Sequence, residues 1–253
     1  MNKIKVALLH LLPIAGEISS NQLLIEKAMK QLASKNVDWI ITPELAVSGL
    51  QFTKEIGTEW ISTQPDNWLN HFTSVVNSVQ ATTFIGCPER DDDCLFNSVF
   101  VIQANGHIIG KQQKINVHSD MWATSGKELT PIKVDGVRVG VMICADAYTE
   151  QIATSLATQG AEVLIAPSSW GPGLYGPNGE WEQRSLDTGL PIFVCNRTGE
   201  DATVSFWEAE SSVIQNGKKL LSYSSRQSSI LIFEWDLDKM ALLSPSFQVE
   251  LIR

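Results

Sequence analysis

Cysteine is scarce and unpaired in this chain. Its four thiols, Cys87, Cys94, Cys144 and Cys195, form no CxxC, and no Cys/His cluster has zinc spacing. That excludes a disulfide framework and a structural zinc site, and it fits a reducing, cytoplasmic compartment. The four histidines (His10, His71, His107, His118) are scattered, so they point to no metal centre. Positive charge is also short: 19 Lys and Arg face 28 Asp and Glu, a formal net charge of -9. Such a balance argues against a general binder of nucleic acid or of anionic membrane. No run of about 18 apolar residues occurs, so no transmembrane helix is expected. Lys3, Lys5 and the apolar run to Ala15 faintly resemble a signal peptide. However, charge interrupts the run, Pro13 breaks it and no A-x-A site follows, so a first core strand is the better reading.

What is present is an ordinary globular composition, 43% apolar over 253 residues, with no low-complexity linker. A single domain over 1–253 is therefore expected. Strands are expected over 3–10, 37–42, 82–87, 137–143, 163–166, 192–196 and 229–235. Helical spacing appears over about 19–35, 68–79, 149–158 and 181–188. Two hairpins are signalled, strands 95–103 and 107–112 about Ala104-Asn105-Gly106 and strands 208–215 and 218–224 about Asn216-Gly217. The stretch 114–129 is irregular and reads as a loop. Strand–helix–strand over 3–42 is echoed over 137–166, and each unit is followed by a proline (Pro43, Pro167). Two mixed sheets packed face to face, with helices on the outer faces, would bury these elements as a four-layer α-β-β-α sandwich.

The stretch around which the chain is organised is Val137-Arg-Val-Gly-Val-Met-Ile-Cys144-Ala145-Asp146. It is an apolar strand that stops at a thiol. Reactive groups collect where the strands of α/β sheets end. On this stretch alone Cys144 is equally a core residue, since free cysteine is often buried. Two further strand-end segments change the balance: Pro43-Glu44 and Lys111-Gln-Gln-Lys114. At neutral pH only a few per cent of an ordinary thiol is thiolate. A carboxylate can take its proton, and an ammonium can support the thiolate and a later oxyanion. Glu, Lys and Cys thus fill three roles without histidine.

These segments, in this order, resemble the nitrilase superfamily of carbon–nitrogen hydrolases, in its amidase-like branch. Ile41-Thr-Pro-Glu44-Leu with Ser48-Gly49 resembles the first block. Phe96-Asn97-Ser98-Val99, then Gly106 and Lys114, resembles the second, with Lys111 the weaker candidate for its lysine. Gly140-Val-Met-Ile-Cys144-Ala-Asp146 resembles the nucleophile block. Pro167-Ser-Ser-Trp170, then Trp181 and Arg184, then Asn196-Arg197-Thr-Gly199 resemble the later ones. The resemblance implies Glu44 as base, Lys114 as oxyanion support and Cys144 as nucleophile, acting on a small linear amide without metal or cofactor. It also implies the Ala145 backbone N–H as a second oxyanion donor, Trp170 as a pocket wall, and assembly as a homodimer or larger homo-oligomer. The apolar tail 237–253 is expected to dock on a partner subunit.

The sequence departs from the family pattern in two places. Ala145 stands where amidase-like members carry an aromatic, and no glutamate lies between Lys114 and Gly126. The supporting carboxylate is therefore expected from Asp120, with His118 as the alternative. An N-carbamoyl hydrolase releasing CO2 with ammonia, or a catalytically idle binding member of the family, remain alternatives at this level. The 171–180 loop is a candidate lid. Arg184 and Arg197 read as structural partners of carboxylates, although either could hold a substrate carboxylate, and Asp146 reads as a brace for the strand end.

Overall fold

Period-two alternation along the strands sorts side chains into layers. The computed structural model describes residues 3–118 and 120–253. In chain order its first half comprises β1 (Lys3–His10), α1 (Ile18–Leu32), β2 (Trp39–Ile41), α2 (Phe52–Ile56), α3 (Asn67–Val79), β3 (Thr82–Asp91), β4 (Cys94–Ile102) and β5 (Ile108–Gln113). The second half comprises β6 (Ile132–Val134), β7 (Val137–Val141), a 3-10 turn (Cys144–Tyr148), α4 (Glu150–Thr158), β8 (Val163–Ser168), α5 (Glu180–Thr188) and β9 (Ile192–Asn196). It closes with β10 (Glu200–Asp201), β11 (Val204–Ser205), β12 (Ser211–Gln215), β13 (Lys218–Tyr223), β14 (Ser229–Asp236), β15 (Ala241–Leu242) and β16 (Gln248–Leu251).

Among the described residues the strands form two large mixed sheets and a separate two-stranded hairpin, β10-β11. The first runs β15-β14-β1-β2-β3-β4-β5, with β16 also paired to β14, and the second runs β13-β12-β9-β8-β7-β6. Parallel pairing joins β1 to β2 to β3 in one sheet and β7 to β8 to β9 in the other. The sequence echo is thus a repeated strand–helix–strand crossover, one in each sheet.

On β1, Val6 and Leu8 face the second sheet, while Ala7 and Leu9 face α1 and α3. Trp39 and Ile41 on β2 likewise point inward, with Ile40 under the helices. Helices α4 and α5 cover the other sheet through Ile152, Leu156 and Trp181. The result is the expected α-β-β-α sandwich. Its helix boundaries follow local chemistry: the Asp66 carboxylate accepts the Leu69 N–H at 2.7 Å to cap α3, and Gly189 at φ +69° stops α5.

Two expectations are corrected. The strand leading to Cys144 ends at Val141, because the chain turns before the cysteine, which itself has φ +48°. The strand expected from Glu208 begins at Ser211. Within its own chain the tail from 237 hydrogen-bonds to β14, with Leu231 opposite Val249.

Candidate active site

Four strand ends, two from each sheet, meet at one cavity. Glu44 follows β2 and Lys114 follows β5, while Cys144 follows β7 and Ser169 follows β8. The cavity holds about 1080 Å³, and Glu44, Lys114, Cys144, Ala145 and Trp170 all line it.

Glu44 is delivered by a tight approach of its loop to β3. A Cβ at Gly86 would lie 2.5 Å from the Pro43 carbonyl oxygen, so only glycine leaves room. The Glu44 carboxylate is fully buried. Its Oε1 accepts from Lys114 Nζ at 2.7 Å and Asn97 Nδ2 at 2.8 Å, and its Oε2 accepts from the Ser169 backbone N–H at 3.1 Å. Ser169 Oγ in turn donates to the Glu44 carbonyl at 2.9 Å.

Lys114 Nζ also donates to Asp120 Oδ2 at 2.8 Å, and Asn97 Nδ2 reaches the same oxygen at 2.9 Å. Asp120, not His118, is therefore the carboxylate in contact with the lysine; His118 is exposed at the cavity wall. The 114–129 loop is held by an aromatic cluster in which Phe52 of α2 meets Trp122 and Trp60 with ring centroids 5.0 and 5.4 Å apart. Lys111 lies outside this group and pairs with Glu89 and with Asp91.

Cys144 opens the 3-10 turn in a left-handed backbone conformation, which a non-glycine residue adopts only where its surroundings enforce it. The enforcing residue is Asp146. Its Oδ2 accepts from Ile143 N at 2.9 Å, just before the cysteine. Its Oδ1 accepts from Ile115 N at 3.1 Å and Asn116 N at 2.7 Å, just after the lysine. One buried side chain thus ties the thiol's turn to the ammonium's strand.

Burial pushes the Cys144 thiol well above its ordinary range, and the Glu44 charge adds to the effect. Lys114 and the Ser169 N–H oppose it. Burial also raises Glu44 above the usual carboxylate range, with Lys114 opposing and Asp120 reinforcing. For Lys114, burial works against the ammonium, but Glu44, Asp120 and Cys144 outweigh it and hold its pKa well above the ordinary lysine value. Burial thus favours the neutral thiol at Cys144, while its carboxylate neighbours keep Lys114 a fixed ammonium.

Trp170 is both wall and core. Its indole N–H donates to the Tyr175 carbonyl at 2.9 Å, its ring meets Trp181 at 5.1 Å, and Asn196 clamps its backbone N–H and carbonyl. Arg197 is buried and bidentate on Asp201, and Arg184 pairs with Asp187 at 2.7 Å, so both are structural here. The expected-lid loop lines the cavity through Pro172, Leu174 and Tyr175, opposite the β10–β11 hairpin. Sequence reading missed Asn97, Ser169 and this hairpin as parts of the site. Asn97 sat within a quoted motif, but its bridging geometry had no local signal. Among the described residues no group of His, Cys, Asp and Glu could hold a metal ion, and no helix is long and apolar enough to cross a membrane.

Known proteins share both the sequence pattern and the architecture. The carbon-nitrogen hydrolase family model matches residues 5–243. A probable nitrilase of Schizosaccharomyces pombe is 22% identical over 93% of this chain and 90% of its own length. The 2-oxoglutaramate amidase of Bacillus subtilis is 24% identical over 85% of each chain. Among solved structures, an amidase variant from a Nesterenkonia species superposes with a TM-score of 0.81 at 14% identity, covering 94% of this chain and 92% of that one. In that structure the acetamide moiety of fluoroacetamide is covalently added at the active-site cysteine.

Proposed function

The chain belongs to the carbon–nitrogen hydrolase family, and on that premise we propose that it hydrolyses the C–N bond of a small non-peptide amide through a thioester on Cys144. The observation that carries this reading is the buried contact of Lys114 Nζ with Glu44 at 2.7 Å and Asp120 at 2.8 Å, at the wall of the cavity that Cys144 also lines. Relatives named as amidases support the amide as the bond attacked.

Glu44 accepts the Cys144 proton as sulfur attacks the carbonyl carbon, so the thiolate forms only as it is consumed. The oxyanion draws on the Lys114 ammonium and the Ala145 backbone N–H; one such donor is worth about 10²–10³ in rate. Protonated Glu44 returns its proton to the departing amine or ammonia. It then takes a proton from water as the water oxygen attacks the thioester carbonyl, the C–S bond breaks to release the acid, and Glu44 hands that proton to the departing sulfur, restoring the thiol. Asp120 holds Lys114 charged and in place throughout. No step draws on a metal or cofactor, and the reading needs no nucleic acid or membrane partner.

Cys144→Ala is expected to abolish ammonia release across an amide panel, together with any acyl adduct seen by intact mass. A fully active Cys144→Ala chain would end the proposal.

A further inference from the structure

Resting on the amidase reading, we propose that the substrate carries an uncharged, apolar acyl group, that is, an alkyl or aryl carboxamide rather than the ω-amide of a dicarboxylic acid. The cavity's charges are few and already committed. Lys114 is the one Lys or Arg among the described lining residues, and its ammonium is shared between Glu44 and Asp120. One cation therefore faces two buried carboxylates before any substrate enters.

The two arginines of the later sequence blocks are spent elsewhere. Arg197 binds both oxygens of Asp201 at 3.0 Å and the Pro13 carbonyl at 2.8 Å, and its guanidinium sits 4.4 Å from the Phe206 ring centroid. Arg184 is held by Asp187 and by the Ala147 carbonyl at 3.0 Å. Outside the lining, Glu180 adds negative charge close enough to raise the hydroxyl of Tyr148, which does line the cavity, behind the effect of burial. Among the described lining residues the one other basic side chain is His118, exposed at the rim, so a second carboxylate on the substrate would enter this cavity with no lysine or arginine free to meet it, and a buried unpaired anion is strongly disfavoured.

The walls offer apolar contact in its place: Leu50, Trp170, Pro172, Leu174, Tyr175 and Val204. Trp170 and Tyr148 lie 4.7 Å apart with their rings tilted, which presents aromatic surface beside the thiol's turn. Asn116, Asn178 and Thr203 supply neutral polar groups that can orient an amide without demanding charge.

The test compares kcat/KM for ammonia release from amides matched in length: hexanamide and phenylacetamide against the mono-amides of succinic and glutaric acid. The neutral pair is expected to lead by at least a hundredfold. Leu174→Arg, at a position 86% exposed and so tolerant of a longer side chain, is expected to narrow that ratio at least tenfold by bringing a cation to the wall. Equal or reversed preference in the wild type overturns the inference and leaves the amidase reading standing, as does a Leu174→Arg chain that discriminates unchanged. If no amide of either kind releases ammonia or acylates Cys144, the amidase reading falls and the substrate class falls with it.

Discussion

Asn97 holds together two groups that repel each other. Its Nδ2 donates to Glu44 Oε1 and to Asp120 Oδ2 at once, the same two oxygens that the Lys114 ammonium bridges. Hydrogen bonds to charged groups are worth about 1.5–3 kcal/mol each. Asn97→Asp is therefore expected to lower kcat by roughly 10- to 150-fold and to move the acid limb of the pH–rate profile upward, because a third carboxylate makes Glu44 harder to ionise. Asp120→Asn is expected to move that limb the other way, since Asp120 is one of the charges that raises Glu44. Glu44 must be ionised to accept the thiol proton, so wild-type kcat/KM should already fall away above the ordinary carboxylate range as pH drops. A kcat/KM profile for each variant reads all three, and limbs that stay put would remove Glu44 as the base. The sequence singles out Glu44, Lys114 and Cys144 because each stands just past a strand signal in a recognisable block, and the structure brings all three to one cavity. Asp120 was legible only as the nearest carboxylate before Gly126. Ser169 was not, because its backbone N–H is what reaches Glu44, and a backbone donor leaves no mark in the residue letters.

Among the elements, hairpins and long strands were readable and short turns were not. Asn216 and Gly217 take φ of +50° and +70°, the conformation that a two-residue hairpin demands and that these two residue types tolerate. By contrast, Met142 and Ile143 continue the apolar run past the end of β7, so composition could not show where pairing stops. Helix α2 has five residues and β10 and β11 two each, too short for any period to register. The Glu44 loop depends on one such unadvertised contact, its passage against Gly86. Gly86→Ala is expected to destabilise the fold by about 1–3 kcal/mol through overpacking and to cut kcat per folded molecule at least tenfold, because the displaced atoms belong to Pro43 and Glu44. Denaturant unfolding beside active-site titration separates the two effects; normal turnover per folded molecule would show that the contact serves packing alone.

At the scale of the whole molecule, two buried groups pull the acid stability in opposite directions. His10 is buried against Ser211 and Tyr223, and burial lowers its pKa to about 4. The unfolded chain then binds more protons between about pH 4 and 6.5, so this contribution to stability rises with pH. Burial raises Asp146 to about 6, with its backbone donors opposing, so the folded chain binds more protons between the ordinary value and about 6 and stability falls with pH. Each effect is on the order of 3 kcal/mol across its window. Relative to wild type, His10→Asn is expected to lose stability as pH climbs from about 4 to 6, and Asp146→Asn to gain it. Urea melts at the two pH values check both signs. The layered architecture itself was readable from alternating apolar positions and the repeated crossover. The edge pairing of the tail was not, because Val249 and Leu251 are apolar enough to suit either their own sheet or another surface.

The sulfur hangs from one β-layer, while the ammonium and its two acids hang from the other. Asp146, Ser169 and Asn116 are the rivets between them. A slip of the layers by about an ångström would part sulfur from base while leaving every strand ladder whole; misplacement on that scale can cost about a hundredfold in rate. Turnover is in that sense an alignment gauge, and gentle heating should silence it well before circular dichroism registers the loss of either layer.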